Sequence, residues 1–168
     1  YIDNATANKT VTYTATTELR ANSTTVITPP TFNFYRNNTL IGSGNSSEYI
    51  TYGAGVYWLK YNTTGNENYT SAENSSLVLT VNQNQTNPTD IYLNNGTAYK
   101  NQNITINYGT ETTANSTLVY SNSGTASLFE DNSATDNPRT TTLSAGTHSY
   151  KGNTTGNANY TSNATGST

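Results

Sequence analysis

The chain contains one ten-residue stretch twice, as Asn62-Thr63-Thr64-Gly65-Asn66-Glu67-Asn68-Tyr69-Thr70-Ser71 and as Asn153-Thr154-Thr155-Gly156-Asn157-Ala158-Asn159-Tyr160-Thr161-Ser162. Nine of the ten positions are identical, and the two copies lie 91 residues apart. Each copy follows a short run that opens with Ala-Gly, at Ala54 and at Ala145. An internal repeat of this length indicates a duplicated structural unit. It predicts two modules and points to neither a ligand nor a reaction.

The repeat extends over most of the chain. Tyr1–Lys9 aligns with Tyr92–Lys100, again 91 residues later. A two-residue insertion then moves the offset to 93, where Glu18 meets Glu111. We therefore predict a first module at 1–83, a linker rich in Asn, Gln, Thr and Pro at 84–91, and a second module at 92–168.

Short runs of alternating large and polar residues, separated by turn residues, predict six or seven strands in each module and no helix. Examples are Val11–Tyr13, Ile104–Ile106 and Leu77–Val81. Leu, Ile, Val and Phe make up only 25 of 168 residues, but fourteen tyrosines add apolar area. Cysteine is absent, so disulfides cannot stabilise the modules. The pattern favours β-sandwiches with thin, tyrosine-rich cores.

The Ala-Gly-x-[Tyr/His] strand start and the Gly-Asn-x-Asn-Tyr-Thr-Ser turn resemble the immunoglobulin-like repeat modules found in tandem in large archaeal and bacterial surface proteins and adhesins. The resemblance covers nearly the whole chain. It implies an all-β fold of two tandem immunoglobulin-like β-sandwich domains. It also implies extracellular spacing, adhesion or assembly, without a shared active site.

Asparagine is unusually frequent, and many asparagines lie in N-x-[ST] acceptor motifs without proline. The number of acceptors is about twice what the Asn, Ser and Thr content alone predicts. One reading is a chain selected to carry N-glycans on exposed faces; the other is a polar sheet protein that meets the pattern by composition. We expect covalent N-glycans and no other cofactor. The fifteen acceptors are Asn4, Asn8, Asn22, Asn37, Asn45, Asn62, Asn68, Asn74, Asn84, Asn95, Asn103, Asn115, Asn153, Asn159 and Asn163.

The four lysines form two repeat pairs, Lys9/Lys100 and Lys60/Lys151, and one acid is also kept, as Glu18/Glu111. In cysteine-free immunoglobulin-like surface modules similar to these, a lysine can form an isopeptide bond with a nearby asparagine, promoted by a buried acid. Such a lysine must be buried to be uncharged. The six residues are therefore candidates for a cross-link, and the alternative is that the lysines are solvated.

Little in the sequence supports catalysis or metal binding. His148 is the only histidine and cysteine is absent. The chain therefore lacks the residues that a typical zinc site or a histidine-based triad needs. His148 aligns with Tyr57, which predicts that it fills an aromatic core position. We expect Glu130, Asp131 and Asp136 to lie in solvated turns, with no metal. An outward-facing Trp58 would be a candidate contact residue, and partial burial under a loop is the alternative.

The formal net charge is −3 and the basic residues are scattered, which excludes a basic nucleic-acid footprint. No apolar run is long enough for a membrane span. The chain opens without Met or a signal peptide, so we expect a mature or excised segment. These features predict a non-enzymatic extracellular structural glycoprotein of a cell-surface filament, stalk or surface layer. The alternative is a carbohydrate- or cell-binding adhesin module.

Thr168 aligns with Leu77, so the second copy has no counterpart of Leu77–Val81. We therefore expect the second sandwich to lack its closing strand and to leave a sheet edge unpaired. Either a longer polypeptide or a neighbouring subunit would supply the strand. The expected partners are copies of the chain or adjoining repeats in a linear assembly.

Overall fold

The structure is a computed structural model that describes residues 1–23 and 30–167, with side chains through residue 163. The chain divides into two compact units, Tyr1–Gln83 (unit 1) and Asn84–Thr168 (unit 2). Thr168 lies outside the described residues, so its alignment with Leu77 has no structural counterpart here.

The regular elements of the described residues are all strands. Unit 1 contains β1 (Lys9–Thr12), β2 (Thr16–Ala21), β3 (Phe32–Arg36), β4 (Thr39–Ser43), β5 (Ser46–Thr51), β6 (Gly55–Thr63) and β7 (Ala72–Asn82). Unit 2 contains β8 (Thr89–Asn94), β9 (Ala98–Lys100), β10 (Glu111–Leu118), β11 (Ala126–Glu130), β12 (Ser133–Thr135), β13 (Arg139–Thr142), β14 (Tyr150–Thr154) and β15 (Asn163–Ser167).

Unit 1 is a sandwich of two sheets. One has the order β1-β7-β6-β3-β4 and the other pairs β2 with β5. The β1–β7 pair is parallel, and the other pairs in these sheets are antiparallel. This separation of strands between two sheets is the immunoglobulin-like arrangement. The core side chains come from both sheets, including Leu19 of β2, Phe34 of β3, Leu59 of β6 and Leu79 of β7.

Unit 2 has the same arrangement with a smaller core. Its sheets have the orders β13-β10-β8-β9 and β12-β11-β14-β15. The buried cluster consists of Ile91, Ala114 and Leu128, with Leu93 and Tyr150 packed against it. The two sheets confirm the predicted all-β fold of tandem immunoglobulin-like sandwiches.

The structure differs from the linker expected at 84–91. Strand β8 begins at Thr89, within that range, and pairs with β10. The Nδ2 of Asn87 donates to the carbonyls of Ser123 and Thr161 at 3.1 and 2.9 Å. These bonds satisfy the buried Nδ2 of Asn87, so a stretch with linker composition lies inside unit 2.

Two stretches of unit 2 that were predicted as strands are irregular. Residues 104–106 form no strand, and β14 begins at Tyr150 although its counterpart β6 begins at Gly55. In unit 1 the corresponding segments are held by the second half of β7. No described residue of unit 2 pairs with these two segments, and the missing closing strand stays a prediction.

The repeated ten-residue stretch builds the same tight turn in both units, between β6 and β7 and between β14 and β15. In unit 1 the amides of Asn68 and Tyr69 donate to Asn66 Oδ1 at 2.9 and 3.0 Å. In unit 2 the amides of Asn159 and Tyr160 donate to Asn157 Oδ1 at 2.8 and 3.0 Å. An asparagine side chain that bonds the backbone two residues on fixes a turn.

The glycine of this turn is required in both units. Gly65 and Gly156 have φ values of 79° and 68°. A Cβ at either position would lie under 3.0 Å from backbone atoms, the carbonyl oxygen of Tyr69 or of Tyr160 among them. Only glycine combines this φ with so close an approach. The best-conserved stretch of the repeat therefore has a structural role.

Candidate functional site

None of the fifteen acceptor asparagines is buried. Nine are exposed and six are half-buried, and the set is distributed over both units. A glycan needs a surface position, so every acceptor meets the geometric condition for modification. Whether they carry glycans stays a prediction. The exposed ones are Asn4, Asn8, Asn22, Asn37, Asn45, Asn68, Asn74, Asn95 and Asn103, and the half-buried ones are Asn62, Asn84, Asn115, Asn153, Asn159 and Asn163.

At least two acceptors already use the nitrogen that a glycan would modify. The Nδ2 of Asn37 donates to the carbonyl of Val56 at 3.4 Å, and the Nδ2 of Asn163 donates to the carbonyl of Asn87 at 3.3 Å. A sugar at either nitrogen must compete with these bonds. We therefore expect Asn37 and Asn163 to be modified less than exposed acceptors such as Asn95.

Trp58 lies on the outer face of unit 1. Leu59 faces the core, so the alternation of β6 directs Trp58 and Val56 outward, where they are 61% and 47% exposed. On the same face Lys60 Nζ lies 4.8 Å from the centre of the Tyr35 ring, a cation–π contact. Val56, Trp58, Lys60 and Tyr35 define this outer face of unit 1. Trp58 as a contact residue stays a prediction.

The four lysines keep their repeat positions but not their partners. Lys9 forms an ion pair with Asp3, and Lys100 pairs with Asp90 at 2.6 Å. Lys60 contacts the Tyr35 ring, whereas Lys151 donates to Asn132 Oδ1 at 2.8 Å. The Lys100 ammonium, followed by the Asn101 amide, lowers the pKa of Asp90.

The geometry around the lysines is unlike a cross-linking site. None of the four is buried. Glu18 is buried and Glu111 is exposed, and neither forms an ion pair with a lysine in the described part of the chain. Lys151 and Asn132 form a lysine–asparagine contact at the surface, where the ammonium keeps its charge. The isopeptide bond stays a prediction, one that this geometry does not favour.

His148 does not lie in an aromatic core, contrary to the expectation from its alignment with Tyr57. Its Nδ1 lies 3.1 Å from Asp131 Oδ2 and 3.6 Å from Glu130 Oε1. Its Nε2 lies 3.1 Å from the carbonyl of Ser144 and donates to it. The Ser144 carbonyl, followed by the Asp131 carboxylate, raises the pKa of His148. The histidine instead contacts acids at the surface of unit 2.

Glu130, Asp131 and His148 place one ligand atom each within 4.8 Å of one another. Each carboxylate already has a partner: Arg139 Nε lies 2.5 Å from Glu130 Oε2, and the Ser149 amide donates to Asp131 Oδ1 at 2.8 Å. The Ser149 amide bond lowers the pKa of Asp131. Protein groups thus account for the cluster without an ion.

The signal for this cluster in the sequence is a pair of equivalent turn residues, Asn37 in unit 1 and Asp131 in unit 2. Asp131 opens the turn between β11 and β12 as Asn37 opens the turn between β3 and β4, with φ values of 49° in both. Asn37 Oδ1 accepts from the Trp58 amide at 2.8 Å, and Asp131 Oδ1 accepts from the Ser149 amide at 2.8 Å. The turn residue therefore contacts strand β6 in unit 1 and the residue just before β14 in unit 2.

A cavity in unit 1 is bounded by polar and aromatic side chains. Its ionisable lining groups are Arg20, Lys60 and tyrosines, with the N-terminal residue Tyr1 at its edge. Among the described residues it contains no carboxylate or imidazole, so it offers no acid–base pair.

Neither the known protein families nor the curated proteins include a match to this sequence. The chain is similar to a solved structure of fibronectin(III)-like modules of Clostridium thermocellum CbhA, with 16% identity and a TM-score of 0.39. The match covers 95% of this chain and 87% of that one. An identity and a TM-score this low support no inference about function. The described residues contain no helix that is long and apolar enough to cross a membrane.

Proposed function

We propose that this chain is a non-enzymatic structural glycoprotein of the cell surface, a repeat unit of a filament, stalk or surface layer. The observation that carries the proposal is that all fifteen N-glycan acceptors avoid the cores of both sandwiches. The conserved part of the repeat supports it, because that stretch is used to build a turn. Such a protein is extracellular, carries covalent N-glycans and contacts copies of itself or adjoining repeats.

The side-chain chemistry supports a role without catalysis. The single histidine is engaged by Asp131 and by the Ser144 carbonyl. The cavity of unit 1 has basic and aromatic groups but no acid among its described lining residues. A reaction needs a positioned nucleophile, base or acid near a substrate site. The described residues show no such constellation.

The experiment is a glycopeptide map of protein secreted by a host that adds N-glycans. We expect occupancy at most of the repeat-equivalent pairs Asn4/Asn95, Asn22/Asn115, Asn62/Asn153 and Asn68/Asn159. Asn103→Gln should remove one glycan, whereas Asn107→Gln, a neighbouring exposed asparagine outside any acceptor motif, should remove none. Protein that is secreted with most of these pairs unmodified would contradict the proposal.

A second candidate, a carbohydrate-binding adhesin module, is favoured by the outer face of unit 1. An exposed tryptophan beside a tyrosine offers an apolar platform on which sugar rings can stack. Two glycan acceptors lie next to this face. The backbone amide of Asn37 donates to the Trp58 carbonyl at 2.9 Å, and Asn62 follows Lys60 by two residues on β6. Glycans there would compete with a bound sugar, which is why the structural role is preferred.

Trp58 is the only tryptophan, so its fluorescence reports directly on this surface. For an adhesin, titration of unglycosylated protein with oligosaccharides should change the emission in a saturable way. Trp58→Ala should remove binding measured by calorimetry, while Tyr108→Ala, at an exposed position of unit 2, should keep it. Absence of a saturable change up to about millimolar sugar, the weak end of measurable affinity, excludes this candidate.

A further inference from the structure

Asn95 is the one asparagine of the chain that is followed directly by a glycine. It lies in the loop at 95–97, between β8 and β9. The β8–β9 ladder ends where Asn94 is opposite Ala98, so the loop itself lies outside the ladder. Residues 94–98 are all exposed. The backbone of this loop is therefore open to water and can move without loss of strand pairing.

Gly96 leaves the backbone amide that follows Asn95 room to move. Its φ is 106°, and a Cβ at this position would meet nothing within 4 Å. Without a side chain, glycine passes readily between positive and negative φ. The Gly96 amide donates to Asn94 Oδ1 at 2.8 Å. This acceptor is the side chain of an exposed residue, so water can replace it when the amide turns away.

The repeat supplies a comparison at the equivalent place in unit 1. Asn4 corresponds to Asn95, and it is likewise an exposed glycan acceptor. It is followed by Ala5, whose amide donates to the backbone carbonyl of Ile2 at 2.9 Å. Ile2 is fully buried, so this bond holds the amide against a fixed part of the unit. The two asparagines thus share a position but differ in the freedom of the amide that follows.

We propose that Asn95 is a site of spontaneous deamidation, promoted by Gly96. The amide nitrogen of Gly96 attacks Cγ of Asn95 and forms a cyclic succinimide. The bond from Cγ to Nδ2 breaks, and Nδ2 leaves as ammonia with the proton of the Gly96 amide. Water then opens the ring, at Cγ to give aspartate or at the main-chain carbonyl to give isoaspartate. Each conversion consumes one water and releases one ammonia.

The conversion changes the chemistry of the hairpin. An aspartate at this position cannot accept an N-glycan, because it lacks the amide nitrogen to which the sugar is attached. It also adds a negative charge to the loop. Isoaspartate in addition lengthens the backbone between Asn94 and Ala98 by one carbon atom. The inference needs no glycan on the chain, so it stands independently of the proposed glycoprotein function.

The test is incubation of the unglycosylated full chain in heavy-oxygen water at mildly alkaline pH, followed by peptide mass spectrometry. Each deamidation during the incubation places one heavy oxygen at the converted residue. We expect Asn95 to convert at least about tenfold faster than Asn4, the matched internal control, a ratio that needs a barrier difference of only about 1.4 kcal/mol. In the folded chain Asn95 should convert at a rate within about tenfold of that in urea, since the loop lies outside the ladder.

Two variants separate the roles of the neighbouring residues. Gly96→Ala should slow the conversion of Asn95 to about the rate of Asn4. Because alanine is strained at this φ, the second variant is Asn94→Ala, which keeps Asn95 and Gly96 and removes the acceptor of the Gly96 amide. It should leave the rate unchanged or raise it.

Equal rates at Asn95 and Asn4 overturn the proposal. A folded chain in which Asn95 falls below the stated limit relative to urea does so too, because the loop then holds the amide in place. Slower conversion in Asn94→Ala contradicts the role assigned to the Gly96 amide. A glycan map without occupied acceptors leaves all these rates unchanged, so failure of the proposed function is separable from failure here.

Discussion

Unit 1 and unit 2 share their turns and differ in their cores. Among the residues that the structure describes, the buried apolar cluster of unit 1 has eight members, whereas that of unit 2 has three. The ten-residue repeat is nearly identical in both and forms the same turn in both. Leu79 and Val81, in the second half of β7, are two of the buried residues of unit 1. The same turn chemistry therefore occurs beside a larger and a smaller core, so the turn does not depend on the size of the core.

The largest effect should come from Leu79→Ala. Leu79 is fully buried in the larger core, so its truncation should lower the free energy of unfolding of unit 1 by about 3–5 kcal/mol. Leu128→Ala removes an equally buried leucine from the smaller core, where fewer side chains surround it, and should cost about 2–3 kcal/mol.

Urea unfolding measures both costs, with Trp58 fluorescence reporting on unit 1 and hydrogen exchange on unit 2. Leu40→Ala, at a site that is 53% exposed, is the matched control and should change stability by no more than about 0.5 kcal/mol. If Leu128→Ala lowers the free energy of unfolding more than Leu79→Ala does, truncation does not cost more in the larger core, and this expectation is wrong.

Gly65→Ala and Gly156→Ala should have similar, somewhat smaller effects, each about 1–3 kcal/mol on its own unit. Both alanines must adopt a positive φ and place Cβ under 3.0 Å from backbone atoms. Gly96→Ala separates the two causes, because its φ is 106° and nothing lies within 4 Å of a Cβ there. Chemical denaturation of the three variants checks this. If Gly96→Ala costs as much as the other two, the close approach contributes nothing.

Asn66→Ala and Asn157→Ala should cost less again. Each removes two hydrogen bonds from backbone amides to an Oδ1, worth about 1 kcal/mol in total because water compensates at these exposed turns. Truncation of Asn157 also removes the bond from its Nδ2 to the Asn122 carbonyl. Thermal unfolding of both variants, with Asn107→Ala as the control, measures the two losses. Losses no larger than that of Asn107→Ala would contradict this account of the turn.

The sequence predicted the fold well where one side of a strand is apolar. Alternation in β6 allowed an outward-facing Trp58 as one of two readings, and Trp58 is 61% exposed while Leu59 is buried. It was less informative where polar residues are buried. Thr89 is buried and donates through Oγ1 to the Gly152 carbonyl at 2.9 Å, and Asn87 is buried through its own hydrogen bonds. From composition alone, such residues are predicted to lie in a linker. The groups to which they hydrogen-bond when buried are far away in the sequence, so local composition does not reveal them.

The candidate sites show a second limit of the repeat. Alignment transfers a position in the fold but not the contacts made there. Lys9 and Lys100 are equivalent, yet Lys9 pairs with an acid six residues before it and Lys100 with Asp90, ten residues before it. His148 is equivalent to Tyr57, yet Tyr57 donates to the Gly53 carbonyl while His148 contacts two acids. Contacts depend on neighbours that the two copies do not share.

The smallest effect concerns the pH dependence of stability, which we expect in unit 2. The pKa of His148 is raised above its ordinary value by the Ser144 carbonyl and by Asp131 and Glu130, the acids that face it. Its contribution to the stability of unit 2 is therefore fully present below about pH 6.5 and is lost as the pH rises through the higher folded pKa. Asp131, whose pKa is lowered, contributes above its ordinary pKa and loses that contribution only in acid. Unit 1 has no histidine, so we expect its stability to change less over the same range.

Urea midpoints of the two units from about pH 5.5 to about pH 8.5 test this, with the titration of His148 followed by NMR. We expect unit 2 to lose stability across the range and His148→Gln to flatten the slope, since glutamine can still donate to the Ser144 carbonyl but carries no charge. Asp131→Asn should lower the pKa of His148 while keeping an Oδ1 acceptor for the Ser149 amide, as Asn37 does for the Trp58 amide in unit 1. If both units keep parallel slopes and His148→Gln changes neither, the surface cluster contributes nothing to the folding of unit 2.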